Sequence, residues 1–269
     1  MTDPLQGKSA LITGASRGVG RAIALALARE GMKVGLLARA SGRLDRTAAA
    51  VNEAGGEGLA LAADLTVAAD VTRAAQTFTD HWGVPDYLIN NAGIGARGFW
   101  SDLTLETEQA IMAVNYTAPV ILIRRLLPGM LAAGRGHVIN INSIAGLYAA
   151  PYQSAYCASK AALLAYCDGL GYELEQSPVH ISTLFPGPIE TDFLANPNYE
   201  SFRQAGDKVT PEFMAHKVLE VMANPRERLF IGPAWKHWAV KVTGLHPTFF
   251  RGLIEKKNTP PRRLGGAQD

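Results

Sequence analysis

Short apolar runs return along this chain at intervals, each followed by a longer stretch of helical period, and that rhythm limits the possible folds more than any other feature. The runs fall at 9–13, 33–38, 58–63, 87–90, 137–142, 181–185 and 228–231. Between them, 21–30 (closed by Gly31), 43–54, 68–81, 106–132 and 153–176 read as helices. Strand and helix in alternation mean parallel strands joined by right-handed crossovers. Apolar runs without polar alternation mean that both faces of the sheet are covered. The expected fold class is α/β, a doubly wound parallel sheet of about seven strands with helices on both faces. No Pro/Gly/Ser-rich linker or low-complexity tract divides the 269 residues, so a single domain over 1–269 is expected, with its core at about 5–232.

Composition narrows the function classes. Apolar types make up 48% of the chain and charged types 19%, which suits a soluble globular protein. A net charge of +2 argues against a nucleic-acid binder, where a basic stripe is expected. The charge is uneven: residues 226–269 carry nine Lys/Arg against three Asp/Glu. Cys157 and Cys167 stand ten helical positions apart, about 15 Å, too far to be bridged. They read as buried thiols in a reducing cytoplasm. No charged leader with an apolar core opens the chain and no run of 18 apolar residues occurs, so a cytoplasmic location is expected. His137, His180, His216, His237 and His246 show no ligand spacing, and His81 at a helix end meets the dipole; no metal site is expected.

The first run leads into Thr-Gly-Ala-Ser-Arg-Gly-Val-Gly, with glycines at Gly14, Gly18 and Gly20. The Lys-Ser/Thr of a triphosphate-binding loop is missing. Glycines at a first strand-to-helix junction allow a tight turn and let a pyrophosphate approach the free N–H groups of the helix, the pattern of a dinucleotide site. The second run ends at Arg39, where a carboxylate would receive the ribose 2′-hydroxyl of NAD; a guanidinium instead suits a 2′-phosphate. Arg17 adds a second positive group, so NADP(H) is the expected cofactor. Asp64 closes the third run, placed either to accept from an adenine amino group or to cap the next helix.

Tyr156 and Lys160 stand four apart in a helical run, which turns both to one face about 5–6 Å apart at Cβ. A free phenol titrates near ~10, too high for efficient proton transfer at neutral pH. The expectation is that the neighbouring ammonium lowers it.

Taken in order, Thr-Gly-x-x-x-Gly-x-Gly at 13–20, Asn-Asn-Ala-Gly at 90–93, Asn115, Ser143, Tyr156-x-x-x-Lys160 and Pro-Gly-Pro-Ile-Glu-Thr at 186–191 resemble the short-chain dehydrogenase/reductase family over about residues 5–232. The resemblance implies a Rossmann-type domain and an oxidoreductase interconverting a ketone and a secondary alcohol. It implies that Tyr156 exchanges the proton and Ser143 bonds the carbonyl oxygen. Lys160 would also hold the nicotinamide ribose, and the Asn115 main chain a relay water. Cofactor contacts are expected from Gly14, Ser16, Arg17, Gly18, Val19, Gly20, Arg39, Asp64, Leu65, Asn91, Ala92, Gly93, Tyr156 and Lys160. Pro186, Gly187, Ile189 and Thr191 would cover the nicotinamide, while Asn90 steadies the sheet.

Residues 190–212 read as a substrate lid, 234–257 as a basic amphipathic helical extension and 258–269 as a disordered tail. The extension fits packing on the body or a sister subunit, closure over an apolar substrate, or contact with an anionic membrane surface. Small residues on the Tyr156 helix (Ala155, Ala158, Ser159, Ala161, Ala162, Gly169) permit close approach of another helix. The resemblance implies a homodimer or homotetramer through this face, and tight packing within the chain would explain the same residues. The expected activity is NADP(H)-dependent reduction of a medium-sized apolar ketone, or the reverse. Alternatives are a 3-oxoacyl thioester reductase of fatty-acid type and, from another class, a non-catalytic NADP-binding sensor or scaffold.

Overall fold

The computed structural model describes residues 5–189 and 209–232. Its strands are β1 Ser9–Thr13, β2 Lys33–Ala38, β3 Glu57–Ala62, β4 Tyr87–Asn90, β5 Gly136–Ile141, β6 Val179–Pro186 and β7 Arg228–Ile231. All are parallel, in the order β3-β2-β1-β4-β5-β6-β7. The chain reverses its direction of travel across the sheet at β1, which pairs with β2 on one side and β4 on the other. Such a reversal opens a crevice at the carboxyl ends of the strands.

The helices are α1 Gly18–Arg29, α2 Gly42–Glu53, α3 Ala68–Trp82, α4 Leu105–Met112, α5 Ala118–Ala132, α6 Ser154–Glu173 and α7 Pro211–Ala223. Successive strand residues point to opposite faces, and two cores result. Ile12, Leu36, Ile89 and Ile139 pack with Ile23, Leu27, Val218 and Val221 of α1 and α7. Their neighbours Leu11, Leu37, Leu88 and Val138 pack with Phe78, Leu122, Leu126 and Leu163 of α3, α5 and α6. The expected doubly wound sheet is what the chain forms.

Three differences from the sequence reading have physical causes. β3 is largely exposed, because it lies at the sheet edge and only one neighbour covers it. The single helix expected at 106–132 runs from Leu105 to Ala132 but widens into a π turn at Ala113–Thr117, where the N–H of Ala118 bonds the Ala113 carbonyl. The most apolar 18-residue stretch of that helix has a mean hydropathy of 1.4, long and apolar enough by length and composition to cross a bilayer. Here its apolar residues Leu122, Ile123, Leu126 and Met130 are buried against the sheet, and Arg124 and Arg125 interrupt the run. Helix α7 was not expected at all. Thr210 caps it by accepting from the Phe213 N–H, Pro211 opens it, and Met214, Val218, Val221 and Met222 bury their side chains. It takes the end of the expected lid.

On α6 the small residues divide. Ser159 is fully buried within the chain, whereas Ala155 and Ala158 line an open groove of about 400 Å³ with Leu105 and Met112 of α4. The rest of the lid, Thr191 and the segments 234–257 and 258–269 lie outside the described residues.

Candidate active site

The glycine turn follows β1 because its backbone leaves no alternative. Gly14 and Gly18 adopt left-handed φ of 69° and 55°. A Cβ on Gly20 would stand 2.3 Å from the Gly14 carbonyl oxygen, so α1 leaves the strand at a distance only glycine permits. Thr13 and Asn91 lock the turn to the end of β4. The Thr13 hydroxyl accepts from the N–H groups of Asn91 (3.0 Å) and Ala92 (2.9 Å), while the Asn91 amide donates to the Thr13 carbonyl at 2.9 Å. Asn91 thus spends its side chain on the scaffold. Val19 points into the core and leaves only its main chain for a ligand, and Leu65 packs beside the second core.

The first turn of α1 has neither a capping side chain nor an acidic residue. Its N–H groups and dipole therefore face the crevice without an internal anion. Ser16 is half-buried in the turn, and Arg17 and Arg39 are exposed at the same edge. Bare helix N–H groups, absent Cβ atoms and two exposed guanidiniums make a donor set that fits a phosphorylated dinucleotide. Asp64 does not cap α3, whose N-cap position Val67 has no side-chain capping bond; its carboxylate instead closes the turn that precedes the helix. One carboxylate oxygen accepts from the Thr66 N–H (2.8 Å) and hydroxyl (2.7 Å), and these bonds hold its pKa below the ordinary value, with Arg39 helping.

Across the crevice the expected catalytic set comes together. Asn115 sits in the π turn, fully buried, its carbonyl accepting from the Ile94 N–H at 2.9 Å. Its amide donates to the Ile94 carbonyl at 2.8 Å and to Ser159 Oγ at 2.9 Å. Ser159 passes the chain on to the Tyr156 carbonyl at 2.8 Å. Gly93 faces this group: an added Cβ would lie 3.5 Å from Asn115 Oδ1 and 3.6 Å from Lys160 Nζ. Ser143 follows β5 by two residues, its hydroxyl accepting from the Ala145 N–H at 3.1 Å and bonding the Tyr156 phenol. Lys160 is 4% exposed, donates to the Ile141 carbonyl at 3.0 Å, and holds its ammonium 6.0 Å from the centre of the Tyr156 ring.

The electrostatics correct one expectation. Burial pushes the Tyr156 phenol up to about 12, against the pull of the Ser143 hydrogen bond. Burial also pushes the Lys160 ammonium down to about 8. Desolvation outweighs the Ser143 hydrogen bond, so the phenol holds its proton at neutral pH instead of being acidified. Lys160 remains mainly charged there, one unit below its pKa.

On the far side, Pro186 is buried at the end of β6, Gly187 has open space around its Cα, and Ile189 bridges Val209. Asn90 steadies the sheet as expected, donating to Asn140 Oδ1 at 2.9 Å. Thr13, Asn142 and Ser159 were missed. Thr13 and Ser159 sit inside the quoted motifs, and Asn142 adjoins Ser143, so adjacency was the available signal.

The short chain dehydrogenase family model matches residues 8–201. The ketoacyl reductase HetN of Nostoc sp. strain PCC 7120 is 36% identical over 228 residues, covering 84% of this chain and 79% of its own. A metagenomic short-chain oxidoreductase solved with NADP superposes with a TM-score of 0.75 at 32% identity, covering 86% of this chain and 100% of its own. A short-chain dehydrogenase/reductase from Burkholderia phymatum solved with NAD gives 0.79 at 27% identity, over 98% of this chain and 100% of its own. The parallel sheet with its glycine turn, the ordered polar set across the crevice and a family match over most of the sequence lead to one conclusion: the chain belongs to the short-chain dehydrogenase/reductase family.

Proposed function

We propose that this chain is an NADP(H)-dependent oxidoreductase that interconverts a ketone and a secondary alcohol on a medium-sized apolar substrate. The observation that carries the reading is the Tyr156 phenol, bonded to Ser143 with the Lys160 ammonium 6.0 Å from its ring centre, across the crevice from an uncapped helix N-terminus. The residues that would hold the cofactor are Gly14, Ser16, Gly18 and the main chain of Val19 and Gly20 at its phosphates. Arg17 and Arg39 would hold the 2′-phosphate, and Ala92, Gly93 and Lys160 the nicotinamide end. When bound, the nicotinamide supplies the hydride-transfer chemistry.

The side chains account for the proton. A phenol raised to about 12 keeps its proton at pH 7 but is a weaker acid than a free phenol, so its transfer to a carbonyl oxygen depends on the phenolate being stabilised as the proton leaves. The Ser143 hydroxyl stabilises charge on the same oxygen. Once the phenol has given its proton, the nearby ammonium stabilises the phenolate.

A second reading, a 3-oxoacyl thioester reductase, draws support from the likeness to a ketoacyl reductase. One panel separates the readings: ketones, their alcohols and a 3-oxoacyl thioester, each with NADPH and with NADH, followed by nicotinamide absorbance. The proposal expects ketone reduction with kcat/KM at least about tenfold higher for NADPH, a difference of about 1.4 kcal/mol. Equal use of both cofactors would refute the arginine assignment. Turnover confined to the thioester would favour the second reading, and NADPH binding with no turnover would leave the sensor.

A further inference from the structure

Ser143 and the Tyr156–Lys160 pair ride on different elements. The chain between them passes through a short 3₁₀ turn at Ile144–Gly146 and a left-handed Tyr152 at φ 64°. A connection of that kind does not by itself fix how far the strand-end hydroxyl lies from the helix, so non-covalent ties must do so. One buried side chain reaches both. Asn142, one residue beyond β5 and 3% exposed, accepts from the Ser143 N–H at 2.8 Å and donates through Nδ2 to the Lys160 carbonyl at 3.1 Å. Its own N–H is fixed to the Leu184 carbonyl of β6 at 2.9 Å. The tie is reciprocated, since Lys160 Nζ donates to the carbonyl of Ile141, the residue before Asn142. Gly146 makes room for the arrangement: a Cβ there would lie 2.9 Å from Asn142 Oδ1 and 3.0 Å from the Lys160 carbonyl.

We propose that Asn142 is a positioning residue that sets the separation between the Ser143 hydroxyl and the phenol and ammonium of α6. The proposal rests on the oxidoreductase reading above. An alanine at 142 loses both bonds, leaves a buried N–H short of a partner, and frees the strand end to shift against the helix. A serine keeps one hydroxyl that serves one of the two partners. Cys157 on α6, the titratable neighbour of Tyr156, and Tyr148 and Arg97, which in turn interact with Cys157, are unchanged in either variant.

The test uses the full chain with NADPH and the panel ketone that wild type reduces fastest. A misplacement approaching an ångström predicts a kcat about 10- to 100-fold lower in Asn142→Ala, with Asn142→Ser between the two and the Kd for NADPH changed less than about threefold. The midpoint of the kcat–pH profile should also move, by about half a unit or more, because the phenol and ammonium no longer share one fixed environment. A purely structural role leaves that profile superimposable on wild type after scaling for folded protein, and this result overturns the proposal, as does an unchanged kcat. If the alanine variant does not fold, the serine variant carries the same test. A Tyr156→Phe control distinguishes the failures. Loss of activity there with a normal Asn142 series sinks the positioning role alone, whereas full activity in the control sinks the reading on which it rests.

Discussion

The two halves of the sheet handle polarity in opposite ways. Around β1–β3, which carry the glycine turn, Ser9, Thr13 and Thr47 are the buried polar residues among those described. Around β4–β6 the interior holds Asn90, Asn115, His137, Asn140, Asn142, Ser159 and Lys160, with Ser182 and Thr183. The difference follows from what each half presents to the crevice. The first offers backbone N–H groups and bare glycines, so its core stays apolar. The second must hold side chains at fixed separations, and each buried polar group there needs a partner. The first half should therefore fail through steric crowding of its backbone, and the second through lost hydrogen bonds or a changed charge.

The largest expected effect tests the backbone side. Gly20→Ala places a Cβ where the Gly14 oxygen stands 2.3 Å away, and roughly 3 kcal/mol of unfolding free energy should be lost together with dinucleotide binding. Urea denaturation and NADPH titration measure both. A variant with wild-type stability and affinity would break the contrast.

A smaller effect tests the polar side by pH. Burial, aided by His180, depresses His137 to about 3, and its Nε2 pairs with Ser182 Oγ at 2.8 Å. A histidine kept neutral in the fold and free to protonate near ~6.5 when unfolded contributes stability that is full above that value and is lost as pH falls toward 3. Between pH 7 and pH 5 the loss amounts to about 2 kcal/mol. His137→Gln removes the titration, so its stability should fall less over that interval. Parallel pH dependence in variant and wild type would contradict the assignment.

What could be read in advance was local. β1, β2, β4 and β7 fall on the expected residues because continuous apolar runs bounded by polar turns need no tertiary information. Tyr156, Lys160 and the glycines were legible because fixed spacing on one helix or one turn forces them together. The exposure of β3 was not, since edge position depends on strand order. Asn142 and Ser159 act across elements distant in sequence, which no local pattern encodes. The phenol's ionisation differs from the expectation for a related reason: the four-residue spacing reveals the ammonium, while the desolvation that raises the phenol appears only once the chain folds around the ring.

Single-turnover reduction by Tyr156→Phe, beside an NADPH titration of the same variant, tests the central claim most directly. If the Tyr156 phenol supplies the proton, the variant binds NADPH with a Kd within about threefold of wild type and oxidises it, with the best panel ketone present, at least about a hundredfold more slowly. Oxidation within tenfold of the wild-type rate would show that the proton comes from elsewhere.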